Sequence, residues 1–284
     1  MKNNVVRRAV TSAAAASTLA ASLLAGGIAN AQGVAGLPSG NYVAFGDSFA
    51  ANPNESAPTA WSRSGCSSAT DNIGSHIAAQ TGLELHDYAC AGTNAFTPNE
   101  PRKTLLGQVD DAIARGSLGP NTQLVTVFVG ANDIWRNPFM SPADQDRLYH
   151  VNVVQALNKI KAANSTARIM LIGYPAFTSA DPVHYACPIN ANGFAPRIPA
   201  AGLHDIEMAL QNRQIAAANE TQVGFVNMKE IANIDVAMCG RDGERQVSAI
   251  LDTDTATYYM TNHPTIHGSR VAGTTIANVY KSTF

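Results

Sequence analysis

Four short stretches of the chain carry residue types that could act together in acyl transfer. The first is Gly46-Asp47-Ser48, where the apolar run Tyr42 to Phe45 ends in a tight turn that exposes a small hydroxyl. A serine is a weak nucleophile until a base takes its proton, and the second stretch offers one in His263-Pro264. Proline forces the residue before it out of helical geometry, so His263 sits on a loop just ahead of the final helical pattern. The other two are Gly92, in Ala89-Cys90-Ala91-Gly92-Thr93, and Asn132, in Gly130-Ala131-Asn132-Asp133. Attack on an ester carbonyl creates an oxyanion, and each donor aimed at it can contribute about 3 to 4 kcal/mol. The Ser48 and Gly92 N–H groups and the Asn132 carboxamide are three such donors. Gly92 lets the backbone come close, and Asn132 donates without carrying charge.

Neighbouring polar residues have plainer readings. Asp47 and Asp133 are expected to brace turn amides rather than do chemistry. His267 falls inside the last helix, and His76, His86, His150, His184 and His204 have no catalytic setting. Trp61 and Trp135 could line an acyl pocket or simply pack. The Pro- and Gly-rich stretch 187–202 reads as a long loop, a length that often shapes a site.

Something must hold these residues together. Tyr42 to Phe45, 123–130 and 167–174 read as buried parallel strands, with 83–89 and 223–228 as weaker ones. Val153, Leu157 and Ile160 recur at helical spacing, as do Leu203, Ile206 and Leu210, each set giving one apolar stripe with polar residues around it. Strands alternating with helices predict βαβ units around a central parallel sheet. In such sheets ligands bind at the carboxyl ends of strands, where Ser48, Gly92 and Asn132 all fall.

Residues 1–31 place Lys2, Arg7 and Arg8 before an Ala-rich stretch without acids and end on Ala29-Asn30-Ala31, the pattern of a secretory signal peptide. Cleavage near Ala31 leaves residues 32–284 as one expected domain, secreted or held in the cell envelope. It also removes three of the 19 basic residues while all 21 acidic ones remain, a balance of about −5. That balance argues against a nucleic-acid partner, and no second apolar run is long enough to span a membrane. A monomer is expected. The four cysteines, Cys66, Cys90, Cys187 and Cys239, form an even count in an oxidising compartment, so two disulfides are expected. Of three pairings, Cys66 with Cys90 and Cys187 with Cys239 each close a local excursion. Their wide spacing, without a His-rich partner pattern, argues against a metal site.

In order and spacing the four stretches resemble the blocks of the SGNH (GDSL-type) hydrolase superfamily. The Ala89-to-Thr93 segment and the cysteine layout are similar to its secreted actinobacterial esterases and lipases. The resemblance implies a three-layer α/β/α flavodoxin-like fold and hydrolysis of a small-molecule, lipid or glycan ester without cofactor or metal. Ser48 would be the nucleophile, His263 the general base, and Ser48, Gly92 and Asn132 the oxyanion hole. The family places an aspartate three residues before the histidine, where this chain has Met260. The expectation is therefore that the Met260 carbonyl orients His263, with Asp252 or Asp254 as alternatives. An acyltransferase, a carbohydrate deacetylase and a non-catalytic envelope-binding protein are the rival readings.

Overall fold

The structure, a computed structural model, describes residues 40–282 apart from residue 55 and residues 232–236. The expected signal peptide, 1–31, lies outside the described residues. Five strands, β1 (Asn41–Gly46), β2 (Glu84–Asp87), β3 (Thr122–Phe128), β4 (Arg168–Ile172) and β5 (Gly224–Val226), form one sheet in the order β5-β4-β3-β1-β2. Every pairing in it is parallel. All five fall on the apolar runs named above, and β1 and β3 are almost wholly buried, as strands covered on both faces must be.

The helices are α1 (Ser48–Ala51), α2 (Ile73–Thr81), α3 (Leu105–Ala114), α4 (Ala131–Arg136), α5 (Pro142–Ala163), α6 (Ala201–Thr221), α7 (Met228–Ile231) and α8 (Ile266–Lys281). α2 packs on α8, while α5 packs on both α3 and α6, which gives three layers. In chain order the strands run 2-1-3-4-5 across the sheet, the flavodoxin-like order. Strand succession reverses between β1 and β3, and a crevice opens at their carboxyl ends. Ser48 follows β1 and Asn132 follows β3, so the reversal point and the candidate chemistry coincide.

Of the two helical stripes, one is core and one is not. Val153, Leu157 and Ile160 of α5 are fully buried. On α6, Leu210 is buried, but Leu203 is 36% and Ile206 48% exposed. The face of α6 turned to the sheet is instead built from Gln211, Gln214, Ala217 and Ala218, and Gln214 donates to the Ile172 carbonyl at 3.0 Å. The apolar periodicity of α6 therefore marks the wall of a cleft. The 187–202 stretch is tied down by two small strand pairs, Tyr185–Ala186 with Ile198–Pro199 and Ile189–Asn190 with Leu251–Asp252. The cysteines pair as Cys66–Cys90 and Cys187–Cys239, with Cα atoms 5.3 and 5.0 Å apart.

Candidate active site

The turn that carries Ser48 depends on the glycine two residues before it. A Cβ on Gly46 would lie 2.8 Å from the Ala50 Cβ and 2.9 Å from the Phe128 carbonyl, so only glycine lets β1 end this close to β3 and α1. Asp47 then caps α1, its carboxylate accepting the Phe49 N–H at 2.8 Å, and Ser48 becomes the first helical residue. Gln108 of α3 holds the same turn from below. Its Oε1 accepts the Gly46 N–H (3.0 Å), and its Nε2 donates to the Gly46 carbonyl (3.1 Å) and to Thr93 Oγ1 (2.8 Å). Three strand ends are brought into register by this one buried amide and by two further backbone bonds, Cys90 N–H to Gly46 O and Asp47 N–H to Phe128 O, each 3.0 Å.

His263 Nε2 lies 2.7 Å from Ser48 Oγ. Its Nδ1 lies 2.8 Å from the Thr261 carbonyl, which can only accept, so Nδ1 carries the proton and the Nε2 lone pair faces the serine. The ring tilts over Phe49 with centroids 4.8 Å apart. The carbonyl expected in this role was that of Met260, and that expectation is corrected: Met260 O accepts the Ser248 hydroxyl at 2.8 Å. Asn262, between Thr261 and His263, adopts a left-handed φ of 61° and bends the chain so that the carbonyl two residues back meets the ring. The alternative acids are engaged elsewhere. Asp252 accepts from Arg245, Asn190 and the Ala249 and Asp254 amides, and Asp254 accepts from Thr257.

The third element is a set of donors. Among the described residues the N–H groups of Ser48 and Gly92 have no protein acceptor. Gly92 has a φ of +83°, which glycine adopts without strain. Asn132 gives one amide hydrogen to the Thr93 carbonyl (3.0 Å), which aims its side chain across the turn that contains Gly92. Its other hydrogen remains available. Asp133 accepts the amides of Ala95, Phe96 and Thr97 at 2.6, 3.0 and 2.7 Å, the bracing role expected from its place in the turn. Burial raises its pKa against the pull of those bonds.

Tyr174, just past β4, joins the nucleophile turn to the Asn132 helix. Its hydroxyl donates to Asp47 Oδ2 and accepts the Ala131 N–H at 3.2 Å. Complete burial pushes Asp47 up to about 7, against the opposing hydrogen bonds from Tyr174 and Phe49.

An apolar cleft of about 240 Å³ borders this site, lined by Ala131 and Asn262 next to the candidate residues and by Tyr174, Phe177, Leu210 and Met238 further in. Trp135, Leu203, Ile206 and Ile250 form its open edge. Trp135 is 86% exposed and Trp61 67%, so neither tryptophan packs in the core. Lys229 also lines the cleft. Its Nζ donates to the Tyr174 carbonyl at 3.1 Å, and burial lowers its pKa while Glu207 opposes the shift.

The structure thus brings Ser48 and His263 into contact and sets Gly92 and Asn132 on adjoining turns. Sequence reasoning passed over Gln108, Tyr174 and Thr261. Tyr174 ends a strand run and had a legible signal in that position, whereas Gln108 is one glutamine on an amphipathic helix and had none. Among the described residues no group of three or more His, Cys, Asp or Glu side chains is placed to hold a metal ion, and no helix is long and apolar enough to cross a membrane.

No curated protein matches the chain in sequence. Among solved structures, an extracellular lipase from Streptomyces rimosus superposes with a TM-score of 0.55 at 17% identity, covering 86% of this chain and 100% of its own. A phospholipase A1 from Streptomyces albidoflavus NA297 gives 0.55 at 17%, covering 86% and 99%. The aryl esterase of M. smegmatis gives 0.52 at 15%, covering 86% and 100%. At such identities these likenesses speak to the fold. The model of the GDSL-like lipase/acylhydrolase family matches residues 44–271, which span every one of the four motif stretches, and the chain belongs to that family.

Proposed function

We propose that the protein is an exported serine esterase or lipase that hydrolyses carboxylic esters through an acyl-enzyme on Ser48. The observation that carries this reading is the 2.7 Å contact between Ser48 Oγ and His263 Nε2, with the proton on Nδ1. The Ser48 oxygen attacks the ester carbonyl carbon while its proton passes to Nε2, and His263 becomes an imidazolium steadied by the Thr261 carbonyl. The oxyanion accepts from the Ser48 and Gly92 N–H groups and from the free hydrogen of the Asn132 amide. Collapse breaks the carbon–oxygen bond to the alcohol, which leaves with the proton returned by Nε2. Water, deprotonated by the same nitrogen, then attacks the acyl-enzyme and releases the carboxylic acid and Ser48. The dyad needs no metal or cofactor for these steps.

The apolar cleft beside Asn262 and Ala131 favours an acyl chain longer than acetyl over a carbohydrate acetyl ester. Two disulfides and the composition of residues 1–31 support export.

The test is a fluorophosphonate probe with a panel of p-nitrophenyl esters from acetyl to palmitoyl. Labelling is expected at Ser48 alone and is lost in Ser48→Ala, which also loses hydrolysis, and rates rise from acetyl to longer chains. Hydrolysis by the alanine variant sinks the assignment of the nucleophile. An acetyl ester that outpaces all others favours the deacetylase instead.

A further inference from the structure

On the Gly92 side of the candidate site the surface is cationic. Arg136 lies four residues after Asn132 on α4, so both project from one helix face on successive turns. A methyl group placed on Gly92 would lie 3.6 Å from Arg136 Nη2 and 3.9 Å from Lys103 Cδ. A second cleft, of about 280 Å³, begins at Cys90 and Ala91, immediately before Gly92, and is lined by Arg102, Lys103 and the exposed Trp61. Glu100 pairs with Arg102 Nε at 3.0 Å and with Lys103 Nζ at 3.1 Å, so one carboxylate faces those two cations. Arg136 is exposed and has no hydrogen-bond or ion-pair partner among the described residues. The surplus is therefore local, since the chain as a whole carries a formal charge of −2.

We propose that this cleft receives the alcohol part of the substrate and that this alcohol carries a phosphoryl group, held by Arg136 with support from Lys103 and Arg102. The inference rests on the esterase reading above. The apolar cleft, lined by Ala131 beside Asn132 and by Asn262 beside His263, suits an acyl chain, and the second cleft begins just before Gly92, which leaves the Gly92 side for the alcohol. An uncompensated guanidinium beside the oxyanion donors is poorly suited to a neutral alcohol. Its fork of N–H donors matches a phosphoryl oxygen pair, and Lys103 and Arg102 add point and fork charges behind it. Trp61 provides an exposed aromatic face at the outer edge of the same cleft.

The experiment compares three esters with one acyl group, octanoyl, and different alcohols: glycerol, glycerol 3-phosphate and glycerate. The reading is the ratio of kcat/KM for each charged ester to that for the glycerol ester, at low and at raised salt. The phosphate ratio is expected to exceed about tenfold at low salt, to shrink as salt rises, and to collapse toward one in Arg136→Gln. Arg136→Lys is expected to restore part of it, since the charge returns without the fork. A wild-type ratio near one overturns the proposal, as does a ratio that Arg136→Gln leaves unchanged. An equal gain with the glycerate ester overturns the phosphoryl assignment. Failure of the esterase reading itself shows differently: no ester of the three is turned over, and the fluorophosphonate does not label Ser48.

Discussion

Asn52 Nδ2 donates to the Pro264 carbonyl at 3.0 Å, which fastens the helix that begins with Ser48 to the loop that carries His263. The same amide nitrogen reaches Ser269 Oγ at 3.1 Å, and Asn52 itself closes α1 in a left-handed conformation with a φ of 40°. The proposed nucleophile and base lie 215 residues apart in sequence, and this side chain is a direct tie between their two segments.

Asn52→Gly keeps the left-handed cap without strain and removes only the amide. The dyad should then lose its fixed spacing, and kcat should fall by about 10 to 10²-fold, because a misplacement of about 1 Å is enough for that. KM should move little, since no substrate contact is lost. Steady-state kinetics on a p-nitrophenyl ester decide the matter. An unchanged kcat would mean that the loop holds His263 in place without Asn52.

Asp252 is one of the two alternative acids for His263, yet its side chain is fully buried against Arg245, 2.8 Å away, and Arg245 is itself almost wholly buried. Asp252→Asn should therefore act on stability. Arg245 keeps Asp242 at 2.7 Å and Asp254 at 3.7 Å, so the cost should stay below the roughly 3 to 5 kcal/mol of a fully unpaired buried charge, and a fall in melting temperature is still expected. Measured below that temperature, kcat should stay within about tenfold of wild type, whereas loss of a triad aspartate costs about 10⁴. A fall of the larger size in folded protein would show that Asp252 serves His263 during turnover.

The Cys187–Cys239 bridge sits directly behind the apolar cleft, because the next residue on one side, Pro188, and the previous one on the other, Met238, both line it. Replacing both cysteines by serine should cost stability of the order of 2 to 5 kcal/mol. It should also loosen that wall. Activity on octanoyl esters should then fall more than activity on acetyl esters, whose acyl group does not reach it. Equal losses on both would separate this bridge from the cleft and count against the cleft as the acyl site.

What was legible in the sequence divides along physical lines. The three central strands could be read because each is a continuous apolar run buried on both faces, whereas the outer two, Glu84–Asp87 and Gly224–Val226, are only partly buried and left the weaker signal; the strand ends then pointed to Ser48, Gly92 and Asn132. The stripe Leu203, Ile206, Leu210 marked a helix but not what that helix faces, because an apolar cleft wall and an apolar core face have the same periodicity, and only the layer on which α6 packs tells them apart. The acceptor for His263 was placed one residue off, at Met260 rather than Thr261, since the deciding feature is the left-handed Asn262. Asparagine tolerates that conformation, but nothing in the residue order requires it. Gln108 left no mark at all, because its role comes from where α3 crosses beneath β1.

The last expectation concerns Asp47, whose carboxyl is displaced from its ordinary value of 3.8 to about 7 by complete burial. Between those values the folded protein holds a proton that the unfolded chain has released. Where the native state binds more protons, stability falls as pH rises. The contribution of Asp47 is therefore greatest below about pH 4, where both states are protonated, and is progressively lost as pH climbs through 7. Asp87 and Asp133 are also raised by burial and slope the same way, so the wild-type curve alone does not isolate Asp47. Asp47→Asn does, because the amide oxygen can still cap the Phe49 N–H while the titration disappears. The difference in melting temperature between wild type and variant, followed by calorimetry from pH 5 to 8, should drift steadily against the wild type as pH rises. Two curves that stay parallel over that range would mean that Asp47 keeps its charge in the fold. In that case the Tyr174 hydroxyl and the Phe49 amide would suffice to hold a buried carboxylate ionised one residue away from Ser48.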